Sequence, residues 1–196
     1  MSWNAIIRSA GTVAKSTIET EGMPEIQPGD FDTIRQPLDF YGMNFYNVLF
    51  DDVEKERQIA KQAAEGGNYQ NRPENNTDLL DRVLREVATD YHIDIPIHIT
   101  ENGMPQTDTP DVASLLNDDE RIEFVKGVLK PLHRAIQSGI DVRGYYLWSL
   151  MDNFEWSAGY EARFGIHYTD YKTLERIPKK SAGWYAKVIS DNGFDG

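Results

Sequence analysis

The sequence predicts an α/β fold, and three observations lead to it. Runs rich in β-branched and aromatic residues occur at 38–48 (LDFYGMNFYNV), 95–100 (IPIHIT) and 142–150 (VRGYYLWSL). Between them lie two segments, 78–91 and 118–138, whose apolar residues recur every three or four positions. Strands that alternate with helices pair in parallel through right-handed crossovers, because a tight turn cannot bring the chain back in the same direction.

Each element has its own justification. Residues 1–21 carry no pattern and stay unassigned, and EGMPEIQPGD (21–30) reads as a loop from its Pro and Gly content. After the first strand, DDVEKERQIAKQAAEGG (51–67) is expected to be helical in part, with a polar loop, NYQNRPENN, behind it. Thr77 is a candidate N-cap for the helix at 78–91, whose stripe is Leu80, Val83, Leu84, Val87 and Tyr91. The helix at 118–138 is expected to be capped by Asn117 with Glu120 as its reciprocal partner, to bury Ile122, Val125, Leu129, Leu132 and Ile136, and to close at Gly139. Pro131 inside it is expected to cause a kink. After the third strand come an acidic, aromatic loop, an extended piece at 164–171 and a last helix near 179–190.

Composition narrows the function classes. With 196 residues, 40% hydrophobic and 27% charged, the chain has the makeup of one globular unit. A net charge of −12 argues against a nucleic-acid partner, since phosphate backbones are held by surplus Lys and Arg. No apolar run approaches the roughly 18 to 20 residues of a membrane span, and the start has no basic segment followed by a long apolar one, so a cytoplasmic address and no membrane partner are expected. The absence of cysteine excludes disulfides and thiolate sites, and His92, His98, His133 and His167 show no ligand spacing. No metal and no cofactor are expected.

Functional groups in α/β folds gather where strands end at their C-terminal edge. Strict alternation puts Gly42, Asn44 and Tyr46 on one face of the first strand, Ile97, Ile99 and Glu101 on one face of the second, and Gly144, Tyr146 and Trp148 on one face of the third. His98 is then expected on the opposite face, against the helices. An acid, a phenol, an amide and an indole converging on one mouth suit a sugar, whose apolar ring faces stack on aromatics and whose hydroxyls bond carboxylates and amides. Taken alone, a Glu after a β-run is more often a solvated residue, and Trp148 and Tyr146 are more often core.

The stretches DFYGMNFY (39–46), ITENG (99–103), GYYLWSLMDNFEWSAGYEARFGIHYTDY (144–171) and RIPKKSAGWYAKVI behind them resemble the C-terminal part of glycoside hydrolase family 1, the β-glucosidase family, over about 22–191. The resemblance implies a portion of a (β/α)8 TIM barrel, about strands six to eight with their helices over 22–196, incomplete as a closed barrel. It implies a retaining mechanism in which Glu101 is the nucleophile and Tyr46 its hydrogen-bond partner, with Asn44 beside it. A donated hydrogen bond favours the ionised form of a carboxylate, which a nucleophile needs. By the same resemblance Trp148 is the platform beneath the sugar, Glu155 and Trp156 bind its hydroxyls, and Phe164 lines the pocket. A carboxylate at Glu155 repels phosphate, which favours plain glucosides over 6-phosphoglucosides. Asp152 is expected to be a structural acceptor, and His133 and His167 to be structural.

Departures from the family pattern matter equally. Retaining glycosidases need two carboxylates about 5–5.5 Å apart, and the family's second acid lies in an Asn-Glu-Pro motif that this sequence lacks. A (β/α)8 fold takes about 250 residues, and the Gly-Trp-x-x-x-Pro segment expected between Phe50 and Thr77 is missing. The implied function is the nucleophile-bearing part of a β-glucosidase acting on a β-glucoside or short β-linked oligosaccharide, inactive without the acid/base half. The alternative is a catalytically silent sugar- or partner-binding module. The partner is then a complementary N-terminal barrel part or a second copy; the glycone (glucose, galactose or fucose) and the aglycone stay open.

Overall fold

The computed structural model describes residues 27–34, 36–46 and 79–195. The expected helix at 51–67 and the Thr77 cap lie outside these residues. In chain order the elements are α1 (Asp30–Ile34), β1 (Tyr41–Asn44), α2 (Leu79–Asp90), β2 (Ile97–Asn102), β3 (Gln106–Thr107), α3 (Val112–Leu116), α4 (Asp119–Gln137) and β4 (Val142–Leu147). A 3-10 turn (Trp156–Ala158), β5 (Ala162–Arg163), β6 (His167–Thr169), β7 (Arg176–Pro178) and α5 (Lys180–Asp191) follow.

Strands β1, β2 and β4 form a parallel sheet in that order, so each neighbour is reached through a crossover on one side. Helices α2 and α4 cover one face. Leu79, Leu80, Leu84 and Val87 of α2 meet Val128, Leu132 and Ala135 of α4 and Ile97 and Ile99 of β2 in one buried cluster, with Tyr41, Met43, Val142 and Tyr145 packed against it. Each fully buried aliphatic side chain there contributes about 1.5–3 kcal/mol. Two short antiparallel ladders, β3 with β5 and β6 with β7, lie over the strand ends. The extended piece expected at 164–171 is thus half of a hairpin, turned by Asp170, which accepts from the Lys172 and Thr173 amides at 2.8 and 3.2 Å.

Two expectations about α4 are corrected. Its N-cap is Asp118, not Asn117, which closes α3 instead. The Asp118 side chain makes no cap bond; it accepts from Arg121 Nε at 2.8 Å and from the Ser181 hydroxyl at 2.6 Å, partners with stronger claims than the helix amides. The buried stripe is Arg121, Val125, Val128, Leu132 and Ala135, with Ile122 beside it, while Ile136 is 44% exposed. A buried arginine at the head of the stripe rotates the inward face away from the purely apolar reading. Pro131 is buried inside the helix without ending it, and Gly139, at φ 97°, closes it as expected.

The faces of β2 are also corrected. Between Ile99 and Asn102 the strand gains one residue relative to both neighbours, since Met43 pairs with Ile99 but Asn44 with Glu101, and Tyr145 pairs with Ile99 but Leu147 with Asn102. This is a β-bulge, and it breaks the two-residue period. Ile97 and Ile99 therefore point at the helices, whereas Glu101 turns to the other face. His98 lies on that other face too, 4.8 Å from the Phe40 ring and stacked 6.2 Å from Tyr146, not against the helices. Gly144 leaves it room: a Cβ there would lie 2.5 Å from His98 Nδ1. Among the described residues nothing covers this second face, and Phe40 and Tyr146 stay about half exposed.

Candidate active site

The site is built where the three parallel strands end. Tyr46 follows β1 by two residues, and the Phe45 amide ahead of it donates to the Glu101 carbonyl at 2.8 Å, extending the β1–β2 ladder to the strand tips. The Tyr46 hydroxyl donates to Glu101 Oε2 at 3.1 Å. Burial first, and then the Glu101 charge, its hydrogen bond and the charge of Glu155, push the Tyr46 phenol well above the ordinary tyrosine range. Tyr46 therefore stays a proton donor to the carboxylate at any physiological pH. Phe164 meets the same ring edge to face, with centroids 6.3 Å apart at 89°.

The other candidates have distinct placements. Asn44 Oδ1 accepts from the Thr100 hydroxyl at 2.7 Å, which ties it to β2 one residue before Glu101. The Trp148 amide donates to the Asn102 carbonyl at 2.7 Å, so Trp148 stands beside the tip of β2, just before a cis peptide to Ser149. Its carbonyl presses on Gly103, where a Cβ would sit 1.9 Å away, so only glycine fits. Glu155 is half-buried and acts electrostatically on Tyr46, while Trp156 opens the 3-10 turn and is 80% exposed. Tyr46, Glu101 and Phe164 thus form one contacting group with Glu155 near it, and Asn44 and Trp148 flank it on the neighbouring strands.

Behind this group the loops are held by a buried ionic network that periodicity and motif spacing did not reveal. Asp152, 2% exposed, accepts from Arg163 Nη1 at 2.8 Å, from Lys179 Nζ at 3.2 Å and from the Gly165 amide at 2.9 Å. Its role as a structural acceptor was expected; its partners were not. Arg121 Nε binds Asp118, Nη1 donates to the carbonyls of Met104 and of Phe164, the latter at 2.9 Å, and Nη2 donates to the Arg163 carbonyl and Gln106 Oε1, both at 3.1 Å. Arg163 Nε reaches Asp108 at 2.6 Å, and its guanidinium lies over the Tyr168 and Tyr171 rings at 4.5 and 4.4 Å. The buried Asp118 and Asp152, with the exposed Asp108 at the edge, thus balance Arg121, Arg163 and Lys179, as buried charges require. Burial, with Arg121 nearby, still pushes the Lys179 ammonium down to about 8. The network joins the segment after β2, the loop after β4 and the start of α5, and so fixes where Phe164 stands. Its one sequence signal was Arg121 itself, in register with Val125 and Val128.

Of the other histidines, His133 pairs with Gln137 at 3.2 Å, and His167 Nδ1 with the Leu150 carbonyl at 2.9 Å. Among the described residues no group of three or more His, Cys, Asp and Glu could hold a metal ion, and no helix is long and apolar enough to cross a membrane.

Comparison with known proteins agrees with this geometry. The chain is 39% identical over 174 residues to thermostable beta-glucosidase B of Thermobispora bispora, covering 85% of this chain and 36% of that protein. It is 35% identical over 184 residues to beta-glucosidase A of Thermotoga maritima, covering 89% of this chain and 40% of that one. The solved family 1 b-glucosidase from Thermotoga maritima superposes with a TM-score of 0.68 at 30% identity, over 86% of this chain and 38% of that structure. The same enzyme in complex with isofagomine lactam gives 0.67 at 33% identity, over 85% and 37%. The chain therefore spans somewhat over a third of the length of these relatives. The model of the family described as glycosyl hydrolase family 1 matches residues 8–194, nearly the whole chain, and the protein belongs to that family.

Proposed function

We propose that this chain is the nucleophile-bearing part of a retaining β-glucosidase, with Glu101 as the nucleophile. The observation that supports this most is the Tyr46–Glu101 hydrogen bond of 3.1 Å at the C-terminal end of a parallel sheet, with Phe164 edge-on to the phenol. A carboxylate there attacks the anomeric carbon of a terminal β-D-glucosyl unit as the bond to the aglycone oxygen breaks, and a glycosyl ester on Glu101 results. The departing oxygen takes its proton from a second carboxylic acid, and water later cleaves the ester with that same acid acting as base. The sequence holds no Asn-Glu-Pro motif to supply the second acid, so turnover needs the complementary barrel strands. Asn44, Trp148, Glu155, Trp156 and Phe164 bind the glycone. The beta-glucosidase from Thermotoga maritima in complex with glucoimidazole and with deoxynojirimycin supports a sugar-shaped site.

Hydrolysis of a nitrophenyl β-glucoside by the purified chain, alone and mixed with the N-terminal strands of a family relative, tests the reading. Activity is expected only in the mixture and only with Glu101 intact; its absence in both rejects the reading. The alternative of a silent sugar-binding module rests on the same missing motif, and glucose binding without turnover in the mixture would favour it.

A further inference from the structure

The bulge in β2 turns Glu101 away from the helices, and a specific side-chain arrangement sits directly behind it. Asn102 is fully buried, with 0% of its surface exposed. Its Nδ2 donates to the Phe45 carbonyl at 2.6 Å, beyond the end of β1, and its Oδ1 accepts from the Tyr145 hydroxyl of β4 at 2.6 Å. Its own carbonyl accepts from the Trp148 amide at 2.7 Å. One side chain therefore bridges the tips of all three strands at the point where the ladder resumes after the extra residue. Only an amide serves here, because one partner is a carbonyl that needs a donor and the other a phenol that needs an acceptor. Tyr145 is held in turn, its carbonyl accepting from the Tyr185 hydroxyl of α5 at 3.4 Å.

We propose that Asn102, clamped by Tyr145, is a positioning residue that locks the β2 bulge and so presents the Glu101 carboxylate to Tyr46. The inference rests on Glu101 being the functional acid of the site. Without the bulge, strict alternation from Ile97 and Ile99 would exchange the faces of Glu101 and Asn102. The carboxylate would then enter the apolar cluster of Ile97, Ile99 and Leu132, and the Phe45 carbonyl and Tyr145 hydroxyl would lose their partner. The two-residue period of β2 taken alone favours that wrong face, since it groups Glu101 with Ile97 and Ile99. The clamp overrides it.

The test is carbon-13 NMR of the full chain at neutral pH, following the Tyr46 Cζ and the Glu101 carboxyl carbon, with resonances assigned through Tyr46→Phe and Glu101→Gln. In the parent chain Glu101→Gln is expected to move the Tyr46 signal, and Tyr46→Phe the Glu101 signal. In Asn102→Leu, which keeps much of the volume but can neither donate nor accept, and in Tyr145→Phe, which removes one oxygen, that mutual dependence is expected to vanish. The core variant Val128→Ala, which lowers stability without touching the clamp, is expected to retain it. Folded clamp variants in which the dependence persists would overturn the proposal, and so would loss of the fold in both, which would assign the clamp to stability alone. The readout needs no turnover. A chain that behaves as expected here yet never hydrolyses a glucoside in the assembled mixture would reject the proposed function and leave the clamp standing.

Discussion

At the residue scale, the chemistry of the site depends on which side of a strand one carboxylate occupies. Glu101 faces Tyr46 because β2 carries one residue more than its neighbours, a property of backbone register that side-chain pattern does not encode. The motifs named Tyr46, Glu101 and Phe164, which the fold brings into one contacting group, while the face of Glu101 and the placement of His98 were not legible. Tyr46→Phe removes the one side-chain donor to Glu101 among the described residues, and in the assembled enzyme a loss in kcat on the order of 10²-fold is expected, with the KM for a nitrophenyl glucoside changed much less. A raised KM with kcat unchanged would assign Tyr46 to sugar binding instead. Gly103 is decided by space: Gly103→Ala sets a methyl 1.9 Å from the Trp148 carbonyl, and a fall in stability of about 1–3 kcal/mol is expected by urea denaturation. An unchanged midpoint would mean that the Trp148 segment moves freely.

At the element scale, helices and strands were legible because their apolar faces repeat. Of the stripe of α2 expected from spacing, Leu80, Val83, Leu84 and Val87 pack in the core against the sheet, whereas Tyr91 lies one residue past the end of the helix. In α4 the reading failed at the ends of the stripe: Ile136 faces water, and Arg121 lies inside with 1% exposure. Its register with Val125 and Val128 is the one local sign of this, and its partners at 118, 104, 106, 163 and 164 come together only once the loops fold over the strand tips. Removing one member of such a pair leaves a buried charge uncompensated, so Arg121→Met is expected to cost about 3–5 kcal/mol, measured by calorimetric or urea unfolding. Leu84→Ala, which only empties apolar volume, is expected to cost about 2–5 kcal/mol. Equal sensitivity of the Phe164 environment to both changes would contradict the view that the ionic network, rather than the core, holds the loop.

At the scale of the whole molecule, two properties follow from what is buried and what is not. Lys179 sits 2% exposed, with its ammonium pushed down to about 8 from an ordinary 10.5. Between those values the unfolded chain binds more protons than the folded one, so the contribution of this group to stability increases as pH rises through the window. Lys179→Met is expected to flatten that part of the stability profile, and an identical slope in parent and variant would contradict the assignment. The second property is the sheet face that the described residues leave uncovered, where His98 stacks with Tyr146 and meets the Phe40 ring at a tilt, with β1 and β4 as the outer described strands. Pattern alone made the parallel sheet legible, and the family motifs identified it as part of a barrel; what covers this face lies in neither. The net charge of −12 opposes association, and salt screens it, so sedimentation is expected to show an average mass that grows with ionic strength.

The central claim, that Glu101 is the nucleophile of a retaining site, is tested most directly by trapping. The chain, combined with the N-terminal strands of a family relative, is treated with an activated 2-deoxy-2-fluoro-β-glucoside and digested, and the labelled peptide is identified by mass spectrometry. One fluoroglucosyl group on the peptide carrying Glu101, absent in Glu101→Gln, is the expected result. A label on any other residue, or a label that survives Glu101→Gln, would contradict the account.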